Sequence, residues 1–332
     1  MNILIVRLGA LGDIVHTIPA AAALRHAYPD ARIDWLVDLK HRDIVDLVEG
    51  IDRVVVVPEG TPAGWVETVK ELRRIRYDVA LDFQGLMKSA VFARASGAKR
   101  VIGFSIWHLR EKSARPLYSE TDDRVERELH VIYKNLQLLR TIGISTDRVV
   151  FPLAPVQSSP LRALRESLGG RPFALINPGA AWPNKRWPPE RFGEVAQFLR
   201  DIRGLTSVVV WGPGEEALAQ TVVERSSACA RMAPQTRIPD VLELSRAASL
   251  MVSGDTGPLH IAAAAGTPIV ALFGPTDPGR NGPWCDQDVA LSRYHACRCH
   301  YDRRCHQRTW CLADVTVAEV TAAIQQRLAQ AG

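Results

Sequence analysis

The stretch Ser253–Pro278, SGDTGPLHIAAAAGTPIVALFGPTDP, decides how the rest of the chain is read. The apolar run Leu250–Ser253 leads into it with strand character, and Gly254-Asp255-Thr256-Gly257 supplies a turn. Pro258–Ala265 then reads as a helix, with proline in the first turn, where its missing N–H would have had no partner anyway. Pro268–Phe273 is a second apolar run, followed by Gly274-Pro275-Thr276-Asp277-Pro278, a second loop. Strand, helix and strand in immediate succession make a βαβ unit, which needs a parallel sheet with helices on its faces.

The same alternation extends in both directions. Phe173–Asn177 and Ser207–Trp211 read as strands, Pro189–Leu199 and Glu215–Ala228 as helices, and Val317–Ala329 as a closing helix. In the first half Asn2–Arg7, Arg32–Val37, Arg53–Val57 and Val79–Phe83 read as strands. Between them lie a Gly-containing turn at Leu8–Asp13, the helical pattern Val15–His26, a helical pattern around Ile44–Val48, and the helix Val66–Ile75. Phe151–Pro160 is rich in proline and serine and suits a linker. The expectation is an α/β protein of two Rossmann-like, doubly wound domains, 1–155 and 156–332, facing a central cleft. Ligands in such sheets sit at the carboxyl ends of the strands.

Composition removes several alternatives. With 332 residues, 47% hydrophobic and 23% charged, the chain is ordinary for a globular protein of two domains. The net charge of +5 is shared between the halves, so no nucleic-acid partner is expected. No stretch approaches the run of about 20 apolar residues that spans a membrane. The apolar start lacks a basic leader region and a cleavage site, so a cytoplasmic location is expected. One local run is basic: Lys88, Arg94, Lys99, Arg100, Arg110, Lys112 and Arg115, interrupted by Glu111. It suits an anionic partner or a solvated face.

Loops that follow the strands carry the polar chemistry. Behind Leu250–Ser253, Thr256 can cap the helix, and the free N–H groups of its first turn suit a phosphate. Asp255 and His260 either face the same site or serve the cap and the core. In Asn177–Pro188, NPGAAWPNKRWP, three breakers stiffen a loop that offers Lys185 as a point charge for a diphosphate, with Arg186 beside it. Trp211–Glu216, WGPGEE, places glycines and carboxylates after another strand, where a ribose could be held. Gly12-Asp13 follows the first strand, and Asp13 fits a general base or a helix N-cap equally. Asp82–Ser89, DFQGLMKS, opens the basic run. Neither GxGxxG after a strand nor GxxxxGK[ST] is present, which argues against an NAD-dependent oxidoreductase and a P-loop enzyme. Asp286-Gln287-Asp288 formally reads DxD but follows no core strand. Cys297, Cys299, Cys305 and Cys311, with His295, His300 and His306, form a set that could hold zinc or iron, although CxC departs from the usual zinc spacing.

Taken together, NILIVRLGALGDIVHTIPA, DFQGLMKSA, NPGAAWPNKRWPPERF and SGDTGPLHIAAAAGTPIVALFGPTDP resemble glycosyltransferase family nine, the ADP-heptose lipopolysaccharide heptosyltransferases, over essentially the whole chain. The resemblance implies the GT-B fold, with acceptor bound by the N-terminal domain and an ADP-sugar by the C-terminal one. It implies an inverting transfer of heptose to a lipopolysaccharide inner core of the Kdo-lipid A type, with no cofactor required for catalysis. It assigns Asp13 as catalytic base. Lys185, Glu216 (or Glu215), Asp255, Thr256, Gly257 and His260 become donor contacts. Gln84, Lys88 and Arg110 are the expected acceptor contacts, toward an anionic lipid-linked substrate at the inner face of the inner membrane. The cysteines are expected to form a structural clip with no direct part in transfer. A relative using another nucleotide sugar, or a protein or polysaccharide acceptor, would carry the same motifs. A non-catalytic sugar-nucleotide binder would have less use for Asp13.

Overall fold

The computed structural model describes residues 1–330, so the last two residues of the expected 156–332 domain lie outside it. The chain divides into two compact units, Met1–Pro155 and a second that begins at Val156. The first unit holds β1 (Asn2–Val6), β2 (Arg32–Asp38), β3 (Arg53–Val57), β4 (Val79–Asp82), β5 (Arg100–Phe104) and β6 (Glu120–Asp122). The second holds β7 (Phe173–Asn177), β8 (Thr206–Val209), β9 (Ala230–Met232), β10 (Leu250–Gly254), β11 (Ile269–Phe273) and β12 (Val289–Ser292).

The sheet orders are β3-β2-β1-β4-β5-β6 and β12-β11-β10-β7-β8-β9, and every pairing is parallel. Each unit therefore starts in the middle of its sheet, winds outward to one edge, returns to the middle and winds to the other. The expected doubly wound α/β architecture is borne out twice. In each sheet the order reverses beside the first strand, between β1 and β4 and between β7 and β10. There the loops leaving neighbouring strands part in opposite directions and open a crevice.

Burial on both faces explains the near-continuous apolar strands. In β7, Phe173 and Leu175 pack into one core cluster while Ala174 and Ile176 pack into another on the opposite face. Trp187 is fully buried, lies edge-on to Phe192 at 4.9 Å, and donates its ring N–H to the Val315 carbonyl at 2.9 Å. Removing such a ring costs about 3–5 kcal/mol.

Proline accounts for the misplaced helix boundaries. Val15–His26, read as one helix, is two: Leu11–Val15, which begins inside the stretch read as a turn, and Ile18–Ala27, with Pro19 in its first turn. The linker Phe151–Pro160 ends inside the helix Ser159–Leu168, where Pro160 again occupies the first turn and Ser158 caps the Leu161 N–H. In both places proline starts a helix instead of breaking one. Among the elements the pattern reading did not place are the helices Met87–Ala95 and Val131–Leu138 and the short strands β5, β6, β9 and β12. Among the described residues no helix is long and apolar enough to cross a membrane.

Candidate active site

In the first unit the crevice opens where Val6 of β1 pairs with Asp82 of β4. Arg7 follows β1 directly and is almost fully buried. Its Nη1 donates to the Phe83 carbonyl, and its Nη2 lies 2.9 Å from Asp13 Oδ1. Asp13 sits inside the helix Leu11–Val15, whose N-cap is Ala10, so it does not cap that helix. Its side chain is 34% exposed, accessible on one side and held by an arginine on the other. Gln84 ties the two loops together: its Oε1 accepts from Leu8 N–H at 2.7 Å and from Gly9 N–H at 3.4 Å. Below it Asp82 accepts from Gln84 N–H, Gly85 N–H, Ser89 Oγ and Tyr118 Oη. Burial pushes the Asp82 carboxyl up in spite of those bonds. Asp82 is thus a structural hub beneath the loop.

The basic run is less uniformly cationic than its sequence. Lys88 pairs with Asp38 at 2.7 Å, Lys99 with Asp78 at 2.7 Å and Arg100 with Glu120 at 2.7 Å. Strand pairing brings these acids in from distant positions. Arg94, Arg110, Lys112 and Arg115 form no salt bridge among the described residues, and Arg110 and Lys112 stand exposed near Ile106 and Trp107, which are 40% and 65% exposed.

In the second unit Ser253 of β10 pairs with Asn177 of β7, and their loops meet at Asp255. This buried carboxylate receives four donors: Lys185 Nζ at 2.5 Å and Thr276 Oγ1 at 2.6 Å on Oδ2, and His260 Nε2 at 3.2 Å and Asn281 Nδ2 at 3.0 Å on Oδ1. Burial pushes its pKa up, but the bond from His260 and the charge of Lys185 outweigh burial and hold it well below the usual carboxylate range. Asp255 therefore organises cationic and hydroxyl groups around itself. Lys185 also lies over the Trp182 ring at 4.5 Å. Thr256 does not cap the helix Gly257–Ala264, contrary to expectation: its Oγ1 accepts from Asn177 Nδ2 at 2.9 Å. Among the described residues no side chain caps the first turn of that helix. Glu216 is exposed on its helix, whereas Glu215 turns back, accepts from Gly212 N–H at 3.1 Å, and crowds Gly179 so closely that a Cβ there would collide with the carboxylate.

Arg7, Asn177, Thr276 and Asn281 were not singled out in the sequence. A charged residue closing the apolar run NILIVR was the available signal for Arg7. The other three are ordinary polar residues whose role appears only when loops meet. The DxD-like pair is structural at Asp288, which accepts from Ile269 N–H at 3.0 Å and from Arg327 Nε at 2.8 Å.

The cysteine segment draws its thiols together and leaves its histidines outside. Cys299 and Cys305 lie 3.4 Å apart, and Cys297 stands beside Cys311. Backbone N–H groups of Cys299, His306 and Gln307 point at Cys297, Cys299 and Cys305 sulfurs, at 3.3, 3.3 and 3.4 Å. Burial, with Cys297 beside it, pushes the Cys311 thiol up to about 12. His300 bonds the Tyr294 carbonyl and stacks on that ring, and His306 leans toward Asp302 at 3.9 Å. Among the described residues no group of three or more His, Cys, Asp and Glu stands ready around one ion.

The family model described as glycosyltransferase family 9 (heptosyltransferase) matches residues 65–310, well over half of the chain. The chain belongs to glycosyltransferase family 9. It is similar to lipopolysaccharide heptosyltransferase 1 of Pseudomonas aeruginosa, with 28% identity over 311 residues, covering 90% of this chain and 85% of the relative. Among solved structures it resembles a family 9 glycosyl transferase from Veillonella parvula, with a TM-score of 0.83 and 22% identity over 99% of this chain and 97% of the other. It also resembles the E. coli heptosyltransferase WaaC, solved with ADP, with a TM-score of 0.78 and 23% identity over 98% and 100% of the two chains. The expected family and GT-B fold class are thereby borne out. As a family 9 member the protein is a glycosyltransferase, and both of its switch-point crevices carry the polar residues described above.

Proposed function

We propose that this glycosyltransferase moves heptose from ADP-L-glycero-D-manno-heptose to the Kdo-lipid A type inner core of lipopolysaccharide, with inversion at the anomeric carbon. The observation that carries the reading is the second-unit crevice. There Lys185 is held on Asp255 beside the uncapped first turn of the helix Gly257–Ala264. An ammonium and free N–H groups behind the carboxyl ends of β7 and β10 fit a diphosphate. Gly257 lies in that first turn, Thr256 leads into it, and His260 braces Asp255. Glu216, with Glu215 nearer the loop, offers a carboxylate to the ribose hydroxyls.

In this reading residues 1–155 bind the acceptor and those from 156 on bind the donor. Asp13, aligned by Arg7, takes the proton from an acceptor hydroxyl as its oxygen bonds to C1 of heptose. The bond from C1 to the phosphate oxygen breaks, and ADP leaves with the electron pair. Lys185 and the helix N–H groups stabilise that charge, as preorganised dipoles do. Gln84, Lys88 and Arg110 meet the anionic acceptor. The exposed Ile106 and Trp107 beside Arg110 and Lys112 support peripheral contact with an anionic membrane at its cytoplasmic face. Transfer needs no metal. The cysteine sulfurs are soft donors with N–H groups aimed at them, and a zinc or iron ion held across the two pairs would act as a structural clip. Elemental analysis of anaerobically purified protein checks that clip.

The test of function is a donor panel. Purified protein is incubated with truncated lipopolysaccharide and ADP-, UDP- or GDP-sugars, and products are weighed by mass spectrometry. Gain of one heptose from ADP-heptose is expected; turnover of a different donor in its place overturns the assignment.

A further inference from the structure

The cysteine segment touches both donor-site loops, which a mere clip for a surface loop would not do. Trp310 Nε1 donates to the Arg186 carbonyl at 2.7 Å, and Asn184 Nδ2 donates to the Asp302 carbonyl at 3.0 Å. Segment residues thus grip the positions on either side of Lys185. On the other loop Tyr301 N–H donates to the Pro275 carbonyl at 3.0 Å, next to Thr276. A Cβ at Gly274 would meet Leu312 Cγ at 2.9 Å, Cys311 Sγ at 3.1 Å and the Asn184 carbonyl at 3.3 Å. Segment and loops therefore close on one glycine with no room for a side chain. Lys185 and Thr276, the residues so bracketed, converge on one atom, Asp255 Oδ2.

We propose that residues 297–311 form a positioning wall for the donor site, with Trp310 as its positioning residue and the thiol cluster as the closure that keeps the wall in shape. The wall holds the Lys185 loop and the Thr276 loop at a fixed separation, so that both reach Asp255 and the ammonium stays aimed at the diphosphate. Between Cys297 and Cys311 the described chain contains neither helix nor strand, and N–H···S and S–H···S contacts supply much of its internal bonding. Its far end is anchored independently of the thiols. Arg191 Nη1 donates to the Ala313 and Val315 carbonyls at 2.6 and 2.7 Å, and the Trp187 ring N–H donates to Val315 as well. Loss of the thiols should loosen the wall without detaching the core behind it.

The inference rests on the reading of this crevice as the donor site, and the experiment separates the two. Full-length wild type, Trp310→Phe and the double variant Cys299→Ser/Cys305→Ser are titrated with ADP by calorimetry. Donor and acceptor KM, kcat at saturating donor, and thermal unfolding are measured on the same samples. Losing one hydrogen bond to a backbone carbonyl predicts about a five-fold weaker ADP Kd and higher donor KM in Trp310→Phe. The cysteine variant should show at least that loss. Acceptor KM should stay within about two-fold, and kcat at saturating donor should fall no further than ADP affinity does, a split that a general loss of folding does not produce. Restoring an N–H with Trp310→His should recover part of the ADP affinity. If the cysteine variant does not fold, Trp310→Phe alone decides. Variants that melt earlier but bind ADP like wild type overturn the proposal and leave the segment a structural clip. A wild type that does not bind ADP instead overturns the donor-site reading itself.

Discussion

Arg7 and Asp13 form an ion pair at 2.9 Å in which the arginine is buried and the carboxylate is one-third exposed. The asymmetry suits an arm that is fixed at its base and offers one face outward. The other terminal guanidinium nitrogen donates to the Phe83 carbonyl, which ties the arginine to the loop after β4. The orientation of Asp13 is thereby set by the strand end that carries Arg7 and by the loop after β4.

With Asp13 as the proposed base, replacing Arg7 by Met should lower kcat by about 10–100-fold while leaving donor KM nearly unchanged, because alignment of a general base is worth part of its roughly 10²–10⁴ contribution. Arg7→Lys should recover some of the rate. Steady-state kinetics with each substrate varied in turn checks this. Equal losses in donor KM and kcat would place Arg7 in a wider structural role.

Asp255 sets a pH dependence of stability. Its carboxyl is depressed in the folded protein, so the stability it contributes is present above the ordinary carboxylate pKa of about 4 and is lost as pH falls toward the folded value. The melting temperature of wild type should fall more steeply than that of Asp255→Asn between about pH 4 and pH 2. Parallel curves for the two proteins would mean that the four donors around Asp255 do not favour its charged form.

Transfer should survive exhaustive treatment with EDTA, measured at saturating donor, and added Mg²⁺ or Mn²⁺ should not raise kcat. The phosphate chemistry is assigned to Lys185 and a helix start, and Asp288 of the DxD-like sequence is committed to Arg327. Strict dependence on either cation contradicts both assignments and returns attention to Asp286.

Much of the fold was legible because strands buried on both faces leave uninterrupted apolar runs such as NILIVR and FALIN, and because Gly and Pro punctuate the loops behind them. Helix starts were obscured where proline occupies a first helical turn, at Pro19 and Pro160. Candidate site residues in the segments behind strands, such as Asp13 after β1, Lys185 after β7 and Asp255 after β10, could be picked out by position. Their partners could not. Thr276 and Asn281 reach Asp255 across more than 20 positions, and Asp38 and Glu120 on other strands, with Asp78 just before β4, neutralise parts of the basic run. Such pairings depend on sheet order and register, which the local pattern does not encode. The four cysteines were visible as a cluster, but the turning away of their histidines, and the segment's contacts with the Lys185 and Thr276 loops, required the tertiary structure.

The most direct test of the account is Asp13→Asn, with kcat for heptose transfer and the Kd for ADP measured on the same preparation. The account assigns Asp13 to proton removal in the first unit and nucleotide binding to the second. It predicts that kcat falls by roughly 10²–10⁴ while ADP affinity stays within about two-fold. Near-wild-type turnover, or a collapse of ADP binding along with the rate, would contradict it.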